Sequence, residues 1–301
     1  MKRLFSITLL LLITAALGAC GFDETQKNNS ESGDTVTYES EFGDVEIPEN
    51  PQRIAALTYG PNLHSLGVDM AGVDQWSKNN PLFEEDLSDT PQITEAEPES
   101  ILAENPDLII AGANMENLDE LKKIAPTVTF TWGKLNYLEQ QIEIGKLVGQ
   151  EEEAREWADD FETRAADIGS NIKKQHGDDT TVSVIETDGK GFYVFGDAWG
   201  RGTEILYQAM DLKMPKKVEE AVSEDGYYEL SQEVLAEYAG DYIILSRGED
   251  TDMSFTESDV WQSIPAVQNG NVIEIDTAAT SYSDPTTLEY LLEIYSEGLS
   301  K

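Results

Sequence analysis

The stretch EEEAREWADDFETRAADIGSNIKKQ, residues 151–175, lies near the middle of the 301-residue chain and separates two halves of similar size. Its apolar residues recur at spacings of three and four, which predicts a single amphipathic helix. These residues are Ala154, Trp157, Ala158, Phe161, Ala165, Ile168 and Ile172, and Gly177 follows as a stop. A helix of this length measures about 37 Å, so it could act as a rigid strut between two lobes. The alternative is an ordinary helix packed within one lobe.

A similar sequence occurs once on each side of this helix. Residues 99–110 read ESILAENPDLII, and residues 233–244, 134 positions later, read EVLAEYAGDYII. Each copy begins with a glutamate in a short helical pattern and continues through a breaker and an aspartate to an apolar strand. The glutamates are Glu99 and Glu233. The same supersecondary unit is therefore predicted once in each lobe.

Short apolar strands alternate with helical patterns along the rest of the chain, which predicts an α/β fold with parallel sheets. The clearest strands are residues 108–111, 128–130, 182–185, 243–245 and 272–275. We expect two Rossmann-like α/β lobes joined by the single long helix, with a ligand cleft between the lobes. The expected boundaries are residues 35–150 for the N-terminal lobe, 151–176 for the connecting helix and 177–301 for the C-terminal lobe.

The beginning of the chain predicts export. Residues 1–3 supply positive charge, and the apolar run of about 14 residues that follows is too short to span a bilayer. The run ends at Cys20, the only cysteine in the sequence, and this placement resembles the bacterial lipobox, in which the thiol is acylated. We therefore expect a lipoprotein signal peptide at residues 1–19, lipidation of Cys20 and a disordered polar tether at residues 20–34. The mature protein would be lipid-anchored on the outer face of the cell membrane, as on a Gram-positive surface; the alternative is a secretory signal with an incidental cysteine.

Composition and missing motifs argue against several functional classes. The chain has 59 acidic and 20 basic residues and a formal net charge of −39, so nucleic acid is not expected as a partner and strongly anionic ligands are repelled. The sequence lacks GxSxG, HExxH and P-loop motifs, and its two histidines supply neither a zinc site nor a Ser-His-Asp relay. We predict a non-enzyme with no catalytic residues, protein-held metal or cofactor. An exported hydrolase that uses the abundant carboxylates is the remote alternative.

The most distinctive segment is FYVFGDAWGRGTEIL, residues 192–206, which predicts a strand, a glycine-spaced loop and a helix. Ligands of open α/β sheets bind at the carboxyl ends of strands. In this loop Trp199 offers a broad apolar wall and Arg201 a fork of hydrogen-bond donors, and the glycines let the backbone approach closely. We expect Trp199 and Arg201 to contact a ligand; the alternative is a tight turn in which a surface tryptophan packs over the arginine.

Taken together, these segments resemble the substrate-binding lipoproteins of iron-siderophore ABC importers, and most closely the ferric-hydroxamate binders of Gram-positive bacteria. The resemblance covers nearly all of the mature chain and is carried by residues 47–48, 51–54, 105–110, 137–141, 145–149, 196–202, 238–243, Trp261 and residues 282–285. It implies two α/β lobes joined by a long helix, with an iron(III)-siderophore in the cleft and the iron coordinated by the siderophore. It also implies that Glu99 and Glu233 dock the protein to the permease of an importer that works with ATPase subunits. We expect the protein to be a monomer.

The resemblance assigns ligand contacts residue by residue. Tyr193, Trp199 and Arg201 match contacts from the C-terminal lobe, and Tyr282 matches another. Close relatives carry two further aromatic residues just before that tyrosine, where this chain has Thr280-Ser281. This departure bears on the range of siderophores that the cleft accepts.

In the N-terminal lobe, Tyr59 and Trp132 follow strands and are candidate walls of the cleft, although Trp132 could equally be a core residue.

A ferric hydroxamate suits a cleft of this kind. A trihydroxamate supplies all the oxygen ligands of Fe(III), so the protein need recognise only its organic shell. Ferric trihydroxamates are neutral or carry one positive charge, whereas ferric triscatecholates are trianionic and are opposed by the acidic chain. Another iron chelate, haem or cobalamin on the same scaffold is the alternative ligand.

Overall fold

The computed structural model describes residues 34–301. The predicted signal peptide, Cys20 and all but the last residue of the predicted tether lie outside the described residues. The strands are β1 Thr35–Ser40, β2 Gly43–Pro48, β3 Ile54–Ala56, β4 Met70–Val73, β5 Leu108–Gly112, β6 Thr127–Phe130, β7 Val182–Thr187, β8 Phe192–Phe195, β9 Tyr227–Leu230, β10 Tyr242–Arg247 and β11 Val272–Asp276. The α-helices are α1 Gly60–Ser65, α2 Gln75–Lys78, α3 Pro98–Ala103, α4 Leu118–Ile124, α5 Tyr137–Leu147, α6 Glu151–His176, α7 Lys216–Ala221, α8 Leu235–Tyr238, α9 Asp259–Gln262, α10 Pro265–Gln268, α11 Thr277–Thr280 and α12 Pro285–Leu299. A π-helical segment, Glu204–Ala209, and two 3-10 helices, Gln232–Val234 and Ser254–Glu257, complete the described elements.

The N-terminal lobe is built on a parallel sheet with the strand order β4-β3-β5-β6, and β1 and β2 form a separate antiparallel hairpin. In this sheet Ile54 pairs with Leu108, and Ile109 pairs with Thr127. Strands of a parallel sheet are covered on both faces and therefore read as continuous apolar runs. One face packs against residues such as Leu63 and Phe83, which are fully buried.

The C-terminal lobe is built on a five-stranded sheet with the order β11-β10-β7-β8-β9. Strand β10 is parallel to β7 and β11, whereas β8 is antiparallel to both β7 and β9. The parallel pairing that we predicted is therefore correct for the β10–β11 and β10–β7 pairs and wrong for the β7–β8 and β8–β9 pairs. Residues 188–191 join β7 to β8, and so short a connection cannot cross the sheet as a parallel pair requires.

Helix α6 runs from Glu151 to His176, the bounds predicted for the connecting helix. Acidic residues fill its first turn and basic residues its last, which complements the helix dipole. Its buried face consists of Ala154, Ala158, Phe161, Ala165, Gly169 and Ile172. The helix follows α5, the last helix of the first lobe, and precedes β7, the central strand of the second lobe's sheet.

The two-lobe α/β architecture predicted from the sequence is thus confirmed, and the five clearest strands fall within β5, β6, β7, β10 and β11. The residue boundaries assigned to the lobes stay a prediction. Within residues 34–301, no helix combines the length and the apolar character needed to cross a membrane.

Candidate functional site

A cavity of about 680 Å³ is lined by residues of both lobes. Its volume falls within the range of small-molecule sites, about 300–1,000 Å³. The first lobe contributes the loops that follow β3 and β6 and the first turn of α5, and the second contributes the glycine-spaced loop and the segment before α12. The lining includes the aromatic residues Tyr59, Trp76, Phe130, Trp132, Tyr137 and Tyr282.

Both candidate residues of the N-terminal lobe line this cavity. Tyr59 precedes α1 with a positive φ of 60° and packs edge to face on Phe130, with ring centroids 5.5 Å apart. Burial, and then the charge of Glu41, raises the pKa of Tyr59 to about 12, so its hydroxyl is a proton donor at neutral pH. Trp132 lies in the loop after β6 and is 67% exposed. It is therefore a rim residue and not part of the core.

Tyr282 lines the cavity from the second lobe, in the segment between α11 and α12. Burial raises the pKa of its hydroxyl, and the charges of Asp74 and Asp284 raise it further. Asp74 belongs to the first lobe and caps helix α2. One carboxylate from each lobe thus acts on the Tyr282 hydroxyl.

The other three candidates, Tyr193, Trp199 and Arg201, lie outside this cavity and form a neighbouring cluster. Tyr193 pairs across the sheet with Glu186 and Glu229. The partly buried Trp199 packs edge to face on Tyr227, with centroids 4.9 Å apart. The structure therefore separates the six predicted ligand contacts into two groups of three.

Arg201 is mostly engaged with protein atoms. Its Nε and Nη2 donate to the carboxylate of Glu186 at 2.7 and 3.1 Å, and its Nη1 donates to the carbonyl of Trp199 at 2.8 Å. The guanidinium also lies 4.6 Å from the centroid of the Phe195 ring. An arginine has five N–H donors, so two of them are left for another acceptor.

The glycine-spaced loop packs closely against other segments of the second lobe. Gly200 and Gly202 have φ values of +67° and +69°, and a Cβ at either would collide with the Ser281 carbonyl or the Tyr295 ring. The Arg201 N–H donates to the Thr280 carbonyl at 2.6 Å, and the Tyr295 hydroxyl donates to the Arg201 carbonyl. The glycines thus fix the loop against the segment that carries Tyr282.

Two buried carboxyl groups of the cavity were missed by the sequence reasoning. Glu204, the first residue of the π-helical segment, and Asp284, the N-cap of α12, are both lining residues that are almost fully buried. Burial raises the pKa of each. The sequence held a signal for Asp284, because Asp-Pro before an apolar pattern is typical of a helix start. Glu204 has no such signal, since one acid within a helical pattern normally faces solvent.

The remaining predicted residues lie on the surface. Glu99 is in the first turn of α3 and Glu233 in the 3-10 helix that precedes α8, and both are exposed. A hydrogen bond from the Ser231 side chain lowers the pKa of Glu233. Residues 34–301 contain no group of three or more histidine, cysteine or acidic side chains placed to hold a metal ion.

Similarity to known proteins places these observations in a family. Residues 57–279 match the periplasmic binding protein family. The chain is 34% identical to the iron(3+)-hydroxamate-binding protein FhuD of Bacillus subtilis, over 100% of this chain and 98% of that protein. The solved structure of the FhuD protein from S. pseudintermedius has a TM-score of 0.79 at 35% identity and covers 88% of this chain and 98% of its own. FhuD2 from Staphylococcus aureus with bound ferrioxamine B has a TM-score of 0.77 at 33% identity, with coverages of 83% and 98%. These similarities confirm the resemblance drawn from the sequence segments.

Proposed function

We propose that this chain, which belongs to the periplasmic binding protein family, binds a ferric hydroxamate siderophore outside the cytoplasm and delivers it to an ABC importer. The siderophore is the cargo and coordinates the iron. The protein acts by binding and release, without turnover.

The cavity between the lobes is the observation that carries this proposal. Aromatic side chains reach it from both lobes, with Tyr59 and Trp132 on one side and Tyr282 on the other. Ligand sites of this kind combine apolar walls with a few polar groups that orient the ligand. Tyrosine hydroxyls donate to hydroxamate oxygens, and the ring faces cover the methylene chains. The iron-hydroxamate binding named for the B. subtilis relative and the ferrioxamine B bound to S. aureus FhuD2 support the same ligand class.

The charge of the cavity supports a hydroxamate over a catecholate. Four acidic side chains line it, and Lys134 is the basic residue among the lining residues. The Lys134 ammonium lies 3.3 Å from the Glu41 carboxylate, so its charge is largely compensated. Such a lining opposes a trianionic ferric triscatecholate and tolerates a neutral or cationic ferric trihydroxamate. The net charge of −39 acts in the same direction.

Delivery requires contact with a permease, and we assign that contact to Glu99 and Glu233. Both are exposed, one in each lobe, at equivalent positions of the repeated sequence unit. Basic residues on two permease subunits would pair with them, with ATPase subunits on the far side of the membrane. Acylation of Cys20 would hold the protein, as a monomer, on the outer face of the cell membrane.

A fluorescence titration tests the proposed ligand. The purified protein is titrated with ferrichrome, ferrioxamine B, a ferric triscatecholate, haem and cobalamin while tryptophan emission is recorded. We expect saturable quenching by a hydroxamate at sub-micromolar concentration, with no saturable response to the catecholate. Quenching by haem, cobalamin or the catecholate, without a response to either hydroxamate, would keep the fold and overturn the ligand.

A further inference from the structure

The position of Trp132 on the cavity rim depends on the backbone that carries it. Its side chain is 67% exposed, so packing does little to fix the indole. The residue lies in a four-residue turn between β6 and α5, which the Lys134 N–H closes by donating to the Thr131 carbonyl at 3.2 Å. Gly133, which follows Trp132 in this turn, has a φ of +75°, a conformation that favours glycine. Whatever holds the turn therefore decides where the indole lies.

The side chain of Glu41 reaches both ends of this turn. Glu41 lies at the tip of the hairpin, between β1 and β2. Its Oε1 accepts from the Thr131 N–H at 3.3 Å, and its buried Oε2 lies 3.3 Å from the Lys134 ammonium. Burial acts to raise the pKa of Glu41, but the hydrogen bonds from Thr131 and the charge of Lys134 lower it overall. One carboxylate thus binds the first and the last residue of the turn that carries Trp132.

The hairpin that carries Glu41 is itself fixed to the first lobe. Tyr38 and Val45 pack against the buried cluster of this lobe, as Tyr59 of the cavity does. The Tyr38 hydroxyl also donates to the carboxylate of Glu143, on α5, at 3.0 Å. Helix α5 begins three residues after the turn ends. The hairpin therefore contacts both the turn and the helix that follows it, and gives Glu41 a fixed base.

We propose that Glu41 is a positioning residue for the siderophore site, which holds the 131–134 turn so that Trp132 keeps its place on the cavity rim. Glu41 is not among the residues that line the cavity, so it acts through the turn and not by contact with the ligand. The hairpin also precedes residues 57–279, which match the binding-protein family. This role rests on the proposed function, because it takes Trp132 as a siderophore contact.

Calorimetric titration of the purified protein tests this role with matched variants. Glu41→Ala removes the carboxylate, and Glu39→Ala removes an exposed carboxylate of the same hairpin. For Glu41→Ala we expect about fivefold weaker binding of both ferrichrome and ferrioxamine B, because the ligand must then order the turn and its indole. For Glu39→Ala we expect wild-type affinity. Glu41→Gln keeps an acceptor for the Thr131 N–H and should restore part of the affinity.

A double-variant cycle separates positioning from a general effect on the fold. In the Trp132→Ala background, adding Glu41→Ala should change the affinity by less than about twofold, because the side chain that Glu41 positions is already absent. Circular dichroism checks that each variant is folded. If Glu41→Ala does not fold, the same cycle is measured with Glu41→Gln.

Several results would overturn this role and leave the proposed function intact. One is binding within about twofold of wild type by both Glu41→Ala and Glu41→Gln. Another is an undiminished loss in the Trp132→Ala background, which would show that Glu41 acts by a different route. A loss confined to the cationic ferrioxamine B, with the uncharged ferrichrome unaffected, would show an effect of the charge beside Lys134 alone. A wild-type protein that binds no ferric hydroxamate would overturn the proposed function and this role with it.

Discussion

The Nε of Arg201 lies 2.7 Å from the Oε2 of Glu186 and joins the glycine-spaced loop to strand β7. Both side chains are largely buried, at 15% and 18% exposure. The same carboxylate oxygen accepts from the Ser246 hydroxyl at 3.0 Å. Arg201 is thus held in one orientation by the second lobe, through three of its five donors.

Removing Glu186 should therefore lower the stability of the fold. Glu186→Ala leaves a mostly buried guanidinium without its counter-charge, and we expect a loss of about 3 kcal/mol in the free energy of unfolding. Urea unfolding measures this loss. The double variant Glu186→Met, Arg201→Met should recover much of the stability, since no buried charge remains. A single variant as stable as the wild type would contradict the structural importance of this pair.

Loss of the Trp132 side chain should weaken binding without weakening the fold. The residue is 67% exposed on the cavity rim, so Trp132→Ala removes little packing. We expect about tenfold lower affinity for ferrioxamine B, which corresponds to about 1.4 kcal/mol. Trp157→Phe is the control, because Trp157 lies on α6, packs on Phe161 and donates to Glu289 at 3.0 Å, away from the cavity. Calorimetric titration separates the two variants. Equal ferrioxamine B affinities for Trp132→Ala and Trp157→Phe would count against Trp132 as a ligand contact.

Glu204 should give the unfolding free energy a recognisable dependence on pH. Burial raises the pKa of its carboxyl above the usual 4.5, so the folded protein binds this proton more tightly than the unfolded chain does. The resulting stability is fully present below pH 4.5 and is lost as the pH rises through the folded pKa. Compared with the wild type, Glu204→Gln should therefore be relatively more stable at pH 7 than at pH 4.

An exposed glutamate provides the opposite case. A hydrogen bond from Ser231 lowers the pKa of Glu233. The contribution of Glu233 to the free energy of unfolding is therefore present above its usual pKa and is lost as the pH falls. Glu233→Gln should accordingly shift stability in the other direction, and only slightly. Unfolding of the wild type and both variants at several pH values measures the two slopes. A Glu204→Gln difference that does not change with pH would contradict a buried carboxyl with a raised pKa.

The two predicted docking glutamates should be needed for transport and not for binding. Glu99→Ala and Glu233→Ala change exposed side chains, so siderophore affinity and melting temperature should stay at wild-type values. Uptake of iron-labelled siderophore by cells that depend on this protein should fall at least severalfold in each variant. Glu153→Ala, an exposed position on α6, is the control and should transport normally. Normal uptake by both docking variants would remove the assignment.

Periodic features of the fold could be predicted from the sequence. The apolar spacing gave α6 to within one residue of its observed end, because a helix of this length repeats its pattern many times. The buried strands were equally clear as short apolar runs. The antiparallel pairing of β8 was not, because strand direction depends on what the connecting segment can span and not on the strand's own composition.

Side-chain partnerships were beyond the sequence for a similar reason. Arg201 was predicted to face a ligand, and its pairing with Glu186 depends on how the loop after β8 folds back over the end of β7. Likewise, Gln140 and Glu204 lie in segments that read as ordinary packed helices, and their position at the cavity follows from the packing of one lobe against the other. By contrast, Tyr59, Trp132 and Tyr282 follow strands or precede a helix start, where ligand contacts are common, and all three line the cavity.

The location of iron in the loaded protein decides whether the cavity between the lobes is the siderophore site. Crystals grown with ferrioxamine B would be measured at the iron absorption edge, and the anomalous difference map locates the metal without reference to the siderophore's shape. We expect one peak inside the cavity, between Tyr59 and Trp132 on one side and Tyr282 on the other. A fully loaded protein whose iron peak lies elsewhere on the molecule would contradict this location.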